Sequence, residues 1–240
     1  MNKPSQIANV KIRQSRERGF ADHGWLKSHH TFSFADYYDP AWMGFRTLRV
    51  INEDFVEGGQ GFGEHPHRDM EIFTYVIDGA LRHKDSMGHT SVIKPGQVQK
   101  ITAGSGIVHS EFNSSAKDKI HLLQIWIVPK QKGLTPSYQE NFLPARDDNH
   151  PFLLIGSPQG GKNIVQFHQD VFVYRGILSA GKENWFNLKP GRGLWLQIVK
   201  GEIKLNGRAL TSGDGASVEN AAEIVFTAVK DAEFLVFDLA

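Results

Sequence analysis

The feature of this sequence that most constrains its fold is the shortness of its apolar runs. They are four to nine residues long and are cut by Gly, Asn, Asp and Pro. That is strand punctuation, not the recurring stripe of an amphipathic helix. Strands are expected at Leu48–Asn52, Glu71–Ile77, Gln97–Thr102, Ile120–Val128, Val171–Leu178, Leu194–Val199, Glu202–Leu205, Glu223–Ala228 and Phe234–Asp238. Asp78-Gly79 and Asn206-Gly207 are expected to turn the chain, because both dipeptides supply the φ > 0 positions of a two-residue hairpin loop. The reading is an all-β protein with at most short helices.

A chain of 240 residues is long enough for two such domains. The stretch Lys130 to Gly161 is dense in breaks (Lys-Gly, Thr-Pro, Leu-Pro, Asp-Asp-Asn-His-Pro, Ser-Pro, Gly-Gly) and suits a linker holding one short strand. The expected division is therefore an N-terminal domain over 1–130, a linker region over 131–163 and a C-terminal domain over 164–240. The halves are also weakly alike. Tyr75-Val-Ile-Asp-Gly79 resembles Gln197-Ile-Val-Lys-Gly201, and Lys94-Pro-Gly-Gln-Val98 resembles Thr211-Ser-Gly-Asp-Gly215, with a shorter spacing in the second copy.

Charge and composition narrow the function. Lys and Arg number 27 against 26 Asp and Glu, a formal net charge of +1, which lacks the basic footprint of a nucleic-acid binder. The absence of cysteine excludes disulfides, zinc ribbons, iron–sulfur clusters and thiol catalysis. Met1 to Phe20 is polar and basic with no apolar signal core, and no run reaches the roughly 20 apolar residues of a membrane helix. A cytoplasmic, monomeric protein is expected, with no direct nucleic-acid or membrane partner.

Nine of the 11 histidines lie in the first 121 residues. His65-Pro66-His67 and His109-Ser110-Glu111 are both i, i+2 pairs, which project to one face of an extended chain. Brought together from neighbouring strands, they offer three imidazoles and one carboxylate to a single ion. Without sulfur, that set suits Fe(II) first, and also Mn, Co, Ni, Cu or Zn. His23, His29 and His30 fall in an aromatic stretch with Trp25, Phe32, Phe34, Tyr37 and Tyr38, where a structural role is expected. His83 and His89 flank a turn and are expected at the surface, and Arg68 and Asp69 are expected to form a local ion pair.

These residues also resemble a known family. Gly59-Gln-Gly-Phe-Gly-Glu-His65-Pro-His67-Arg-Asp-Met-Glu71 with Gly79 resembles the first cupin motif, and Gly104-Ser-Gly106-Ile-Val-His109-Ser-Glu-Phe-Asn113 resembles the second. With His30-Thr-Phe-Ser-Phe-Ala-Asp-Tyr-Tyr-Asp39 and His83-Lys-Asp-Ser-Met-Gly88, the match is to the pirin family, nearest its bacterial quercetinase-like members. The resemblance is dense from Gly24 to Val128 and thin beyond.

It implies a bicupin of two jelly-roll type barrels, with one divalent ion per chain in the N-terminal barrel, held by His65, His67, His109 and Glu111. Ordinary cupins draw the carboxylate from the position of Glu71, which is the competing ligand. Glu111 is preferred because it follows the family pattern and shares a strand face with His109. Counting along the repeat puts Asn187, Lys189, Phe226 and Ala228 at the equivalent C-terminal positions, and these make no ligand set. The resemblance further implies a dioxygenase that opens the central ring of quercetin-type flavonols with loss of carbon monoxide. The ion would act as a Lewis acid on the 3-hydroxyl, and Glu111 would accept its proton. The alternative is a metal-dependent regulatory pirin that binds another protein. An open cavity favours the enzyme, and a sealed barrel favours the regulator.

Overall fold

The computed structural model of the chain describes residues 9–143, 145–147 and 149–240. Residues 1–8, Pro144 and Asp148 lie outside it, and with them part of the basic start and of the Leu143-Pro144 and Asp147-Asp148-Asn149-His150-Pro151 breaks. Among the described residues there is no α-helix; one 3-10 turn, Ser15–Glu17, stands among the strands. All nine expected strands form: four with the expected bounds, four extended by one or more residues, and Ile120–Ile127 one residue shorter than expected.

The chain divides into two compact units. The first comprises Arg18–Pro144 and Pro158–Gln169. Its larger sheet runs in the order Ser137–Phe142, Gln97–Thr102, Glu71–Asp78, Ile120–Ile127, Leu48–Val56, Leu26–His30, Gly19–Asp22. Its smaller sheet runs Gly61–His67, Ile107–Asn113, Leu81–Asp85, Thr90–Ile93. The second unit comprises the described residues of Met1–Glu17, Ala145–Ser157 and Asp170–Ala240. There Gly215–Glu219, Gly193–Lys200, Ala232–Leu239 and Val171–Leu178 lie side by side, opposite a sheet of Glu183–Asn187, Glu223–Ala228, Glu202–Leu205 and Arg208–Thr211. Strand for strand this is the same order, which is the bicupin arrangement and gives the weak repeat a structural meaning.

Contacts partition the chain differently from a single cut near Pro129. Asn9–Arg13 pairs with Gly215–Glu219 and so belongs to the second unit. The 131–163 stretch carries two strands, Ser137–Phe142 and Phe152–Ser157, where one was expected.

The two expected turns behave differently. Asn206 and Gly207 both have positive φ, 47° and 80°, and close a hairpin whose last pair is Leu205 with Arg208. Asp78-Gly79 forms no hairpin. Only Gly79 has positive φ (83°), and the chain passes there from the larger sheet to the smaller one. A Cβ at Gly79 would sit 3.0 Å from Ile120 Cα, so this corner needs glycine both for its backbone and for its close approach.

Candidate metal centre and its cavity

The two strands that carry the candidate ligands contain little apolar run, yet their pairing is specific. Ile107–Asn113 buries every second residue, so Ile107, His109, Glu111 and Asn113 point into the first unit. His109 lies opposite His65 and Ile107 opposite His67, with a register shift between His109 and Glu111. The ring centroids of His65, His67 and His109 are 4.4 to 4.9 Å apart, and their nitrogens fall within one 4.8 Å cluster. His109, Glu111 and His83 form a second such cluster, so His109 is common to both.

His83 is the residue that sequence reasoning misplaced. It is fully buried, not at the surface. It stacks on Tyr138 at 4.7 Å, and its Nε2 lies 3.1 Å from Asp85 Oδ2. Its ladder partner is Glu111. Burial alternates along Leu81–Asp85, so His83 shares a buried face with Leu81 and Asp85.

Electrostatics favour a cation at this point. Both ring nitrogens of His109 are buried without a hydrogen-bond partner among the described residues, a costly arrangement unless something binds them. Burial, reinforced by the neighbouring His65, lowers His67 to about 4. Burial, with His65 and His67 beside it, lowers His109 to about 3. Both imidazoles are therefore neutral, as metal ligands must be. His65 Nδ1 is 2.7 Å from the Gly63 carbonyl, which fixes its proton there and leaves Nε2 free. Burial pushes Glu111 up to about 7, against the pull of two amide donors. Gln99 Nε2 donates to its Oε1, and Gln124 Nε2 donates to Oε2 at 2.8 Å. The donor set fits a divalent ion of intermediate softness.

Glu71 has a different occupation. It lies on the outer face of the larger sheet, fully buried. There it pairs with Lys100 and accepts hydrogen bonds from the backbone N–H of His168 (2.9 and 3.0 Å). Phe167 covers this pair, with its ring 5.6 Å from Lys100 Nζ. Its neighbours Ile72 and Thr74 take the register that alternates with it.

One cavity of about 660 Å³ opens over the histidines, within the range of roughly 300–1,000 Å³ usual for small-molecule sites. Both sheets line it, with Phe34, Tyr37, Phe62 and Trp126 among its aromatic walls. The Trp126 ring meets His67 edge-on at 5.1 Å. The aromatic stretch expected to be structural is divided. His29 packs between Phe20 and Phe55, whereas His23 and His30 line the cavity. A polar row crosses the cavity face of the larger sheet in register: Gln99 opposite Thr74, Thr74 opposite Gln124, Gln124 opposite Asn52, and Asn52 opposite His30. Arg68 and Asp69 lie 3.9 Å apart at the surface.

The second unit fills the corresponding space with hydrocarbon. With Gly79 and Gly201 as equivalent corners, Leu205 pairs with Phe226 where His83 pairs with Glu111. Likewise Phe186 pairs with Ile224 where His65 pairs with His109, and Leu188 stands for His67. All five belong to one buried apolar core. Counting along the sequence points instead to Asn187, Lys189, Phe226 and Ala228. The count slips because the loops differ in length and the first unit carries the register shift beside His109.

The pirin family profile matches residues 10–127, and that of the quercetinase C-terminal cupin domain matches 154–239. A curated quercetin 2,3-dioxygenase of Escherichia coli K12 is 44% identical over 96% of this chain and 98% of its own length. This chain belongs to the pirin family. A pirin-like protein of Caulobacter vibrioides is 40% identical over 92% of the chain and 96% of its own length. The crystal structure of the bacterial pirin YhhW from Escherichia coli in complex with nickel(II) superposes with a TM-score of 0.92 at 43% identity, covering 96% of this pirin and 99% of that one.

Proposed function

We propose that this pirin is a dioxygenase that binds one divalent transition-metal ion through His65, His67, His109 and Glu111 and opens the central ring of quercetin-type flavonols with release of carbon monoxide. The observation that carries the reading is His109, whose two buried nitrogens have no partner among the described residues, in a histidine triad beneath a cavity large enough for a flat aromatic ligand. An open cavity favours the enzyme over the regulator, and the names of the near relatives support the same choice. Iron is the ion favoured on ligand chemistry, and nickel is the one bound in the E. coli relative. We assign the activity to the cytoplasm.

When bound, the ion would supply a Lewis acid that acidifies the flavonol hydroxyl. The protein does the rest. Glu111 accepts the hydroxyl proton at a carboxylate oxygen. Gln99 and Gln124 hold that carboxylate in place from both sides. Phe34, Phe62 and Trp126 exclude water and clamp the flat ring.

Anaerobic titration of metal-loaded protein with quercetin tests the reading. A red-shifted flavonol band, as the hydroxyl loses its proton, is expected. An unshifted spectrum with every ion of the Fe, Mn, Co, Ni and Cu set would overturn it.

A further inference from the structure

We propose that the larger-sheet wall of the cavity is a subsite for phenolic hydroxyl groups, in which Asp54 Oδ2 and His30 Nε2 accept hydrogen bonds from the ligand. The inference deepens the flavonol reading and rests on it, because it concerns the part of the substrate remote from the histidine triad.

Four side chains build this wall. Ser28 lies opposite Asp54 and His30 opposite Asn52 on adjacent strands, and i, i+2 spacing turns all four to the same face. Each is at most 5% exposed, and each lines the cavity. Ser28 Oγ donates to Asp54 Oδ1 at 2.5 Å. Oδ2 has no protein partner among the described residues, and no Lys or Arg there pairs with this carboxylate. An ionised carboxylate can accept about four hydrogen bonds, so one serine leaves it under-satisfied. His30 Nδ1 lies 2.9 Å from Asn52 Oδ1. An amide oxygen only accepts, so the imidazole proton sits on Nδ1 and Nε2 presents a lone pair.

A staple between two strands would account for Ser28 and Oδ1. It would not account for two unused acceptors on the wall of a cavity. Acceptors that no Lys or Arg pairs with disfavour anions and leave a purely apolar ligand with buried polar groups unpaired, which costs affinity. A hydroxylated aromatic ring answers both demands. Its O–H groups donate, and its face has a seat against Phe34 and Tyr37, whose rings lie 5.3 and 6.3 Å from that of His30.

The test compares quercetin, which carries hydroxyls on both outer ring systems, with 3-hydroxyflavone, which carries only the one assigned to the metal. Dissociation constants are measured by quenching of tryptophan fluorescence without oxygen, on metal-loaded and metal-free protein. Wild type is expected to prefer quercetin by about tenfold or more, the usual range for a charge-assisted hydrogen bond. Asp54→Asn, which replaces an acceptor by a donor, should reduce that preference severalfold, and His30→Leu should act in the same direction. Equal affinities in wild type, or a preference unmoved in both variants, would overturn the subsite. The wild-type comparison stands even if a variant fails to fold. Hydroxyl-dependent binding without any turnover would sink the dioxygenase and leave the subsite standing. Turnover of both flavonols with no difference in affinity would do the reverse.

Discussion

Asp54 offers a measurement of how much stability this pirin gives up to keep an acidic group in its cavity. The carboxyl is buried among strands with Ser28 as its hydrogen-bond donor, and burial raises it from 3.8 to about 6. A raised folded-state value means that the folded chain holds the proton more tightly than the unfolded one. The resulting stabilisation is fully present below the unfolded value and is lost as pH rises through about 6. A shift of about two units corresponds to roughly 3 kcal/mol at neutral pH. Asp54→Asn does not titrate and escapes this loss. Urea unfolding of both proteins in chelator, at pH values between about 4 and 7, should show the variant gaining on wild type by about 2 kcal/mol as pH rises. A gap that stays constant across that window would refute the reasoning, because it would mean that Asp54 is no harder to ionise when folded than when unfolded.

Other expectations can be checked on the same preparations. Glu111→Ala should weaken metal binding by tenfold or more in a competition titration, whereas Glu71→Ala should change it far less. Glu71→Ala should instead cost about 3–5 kcal/mol of stability, because Lys100 loses its buried partner. Metal analysis should return one equivalent per chain, and a second equivalent that survives His65→Ala would contradict the apolar filling of the second unit. Gly176→Ala should destabilise by about 1–3 kcal/mol in thermal unfolding, since its Cβ would fall 2.0 Å from the Phe234 ring.

The core strands were legible because they are apolar. Runs such as Ile120–Ile127 and Val171–Leu178 announce themselves by β-branched and aromatic content. The strands that carry the candidate ligands are legible only as motifs. Gly61–His67 has no apolar run at all, and its strand state comes from pairing with Ile107–Asn113. The i, i+2 spacing foresaw that His65 and His67 share a face, and likewise His109 and Glu111. It could not foresee that His83 would join them, because that contact is made by a neighbouring strand. Nor could spacing show which way Glu71 faces. That is decided by Lys100 and His168, 97 residues away along the chain in the latter case. Asp78-Gly79 carries the composition of a hairpin turn, yet it passes the chain between sheets, since both flanking strands find better partners elsewhere. His30 carries no local sequence signal of a cavity position. Its place in the cavity follows from the ladder with Asn52.

The central claim is that the histidine site does chemistry on a flavonol. The most direct measurement is carbon monoxide released per quercetin consumed, with metal-loaded protein and oxygen, for wild type and for His109→Ala. The account predicts one carbon monoxide per flavonol bleached by wild type, and neither bleaching nor gas from the variant. Bleaching without carbon monoxide, or equal release from both proteins, would contradict it.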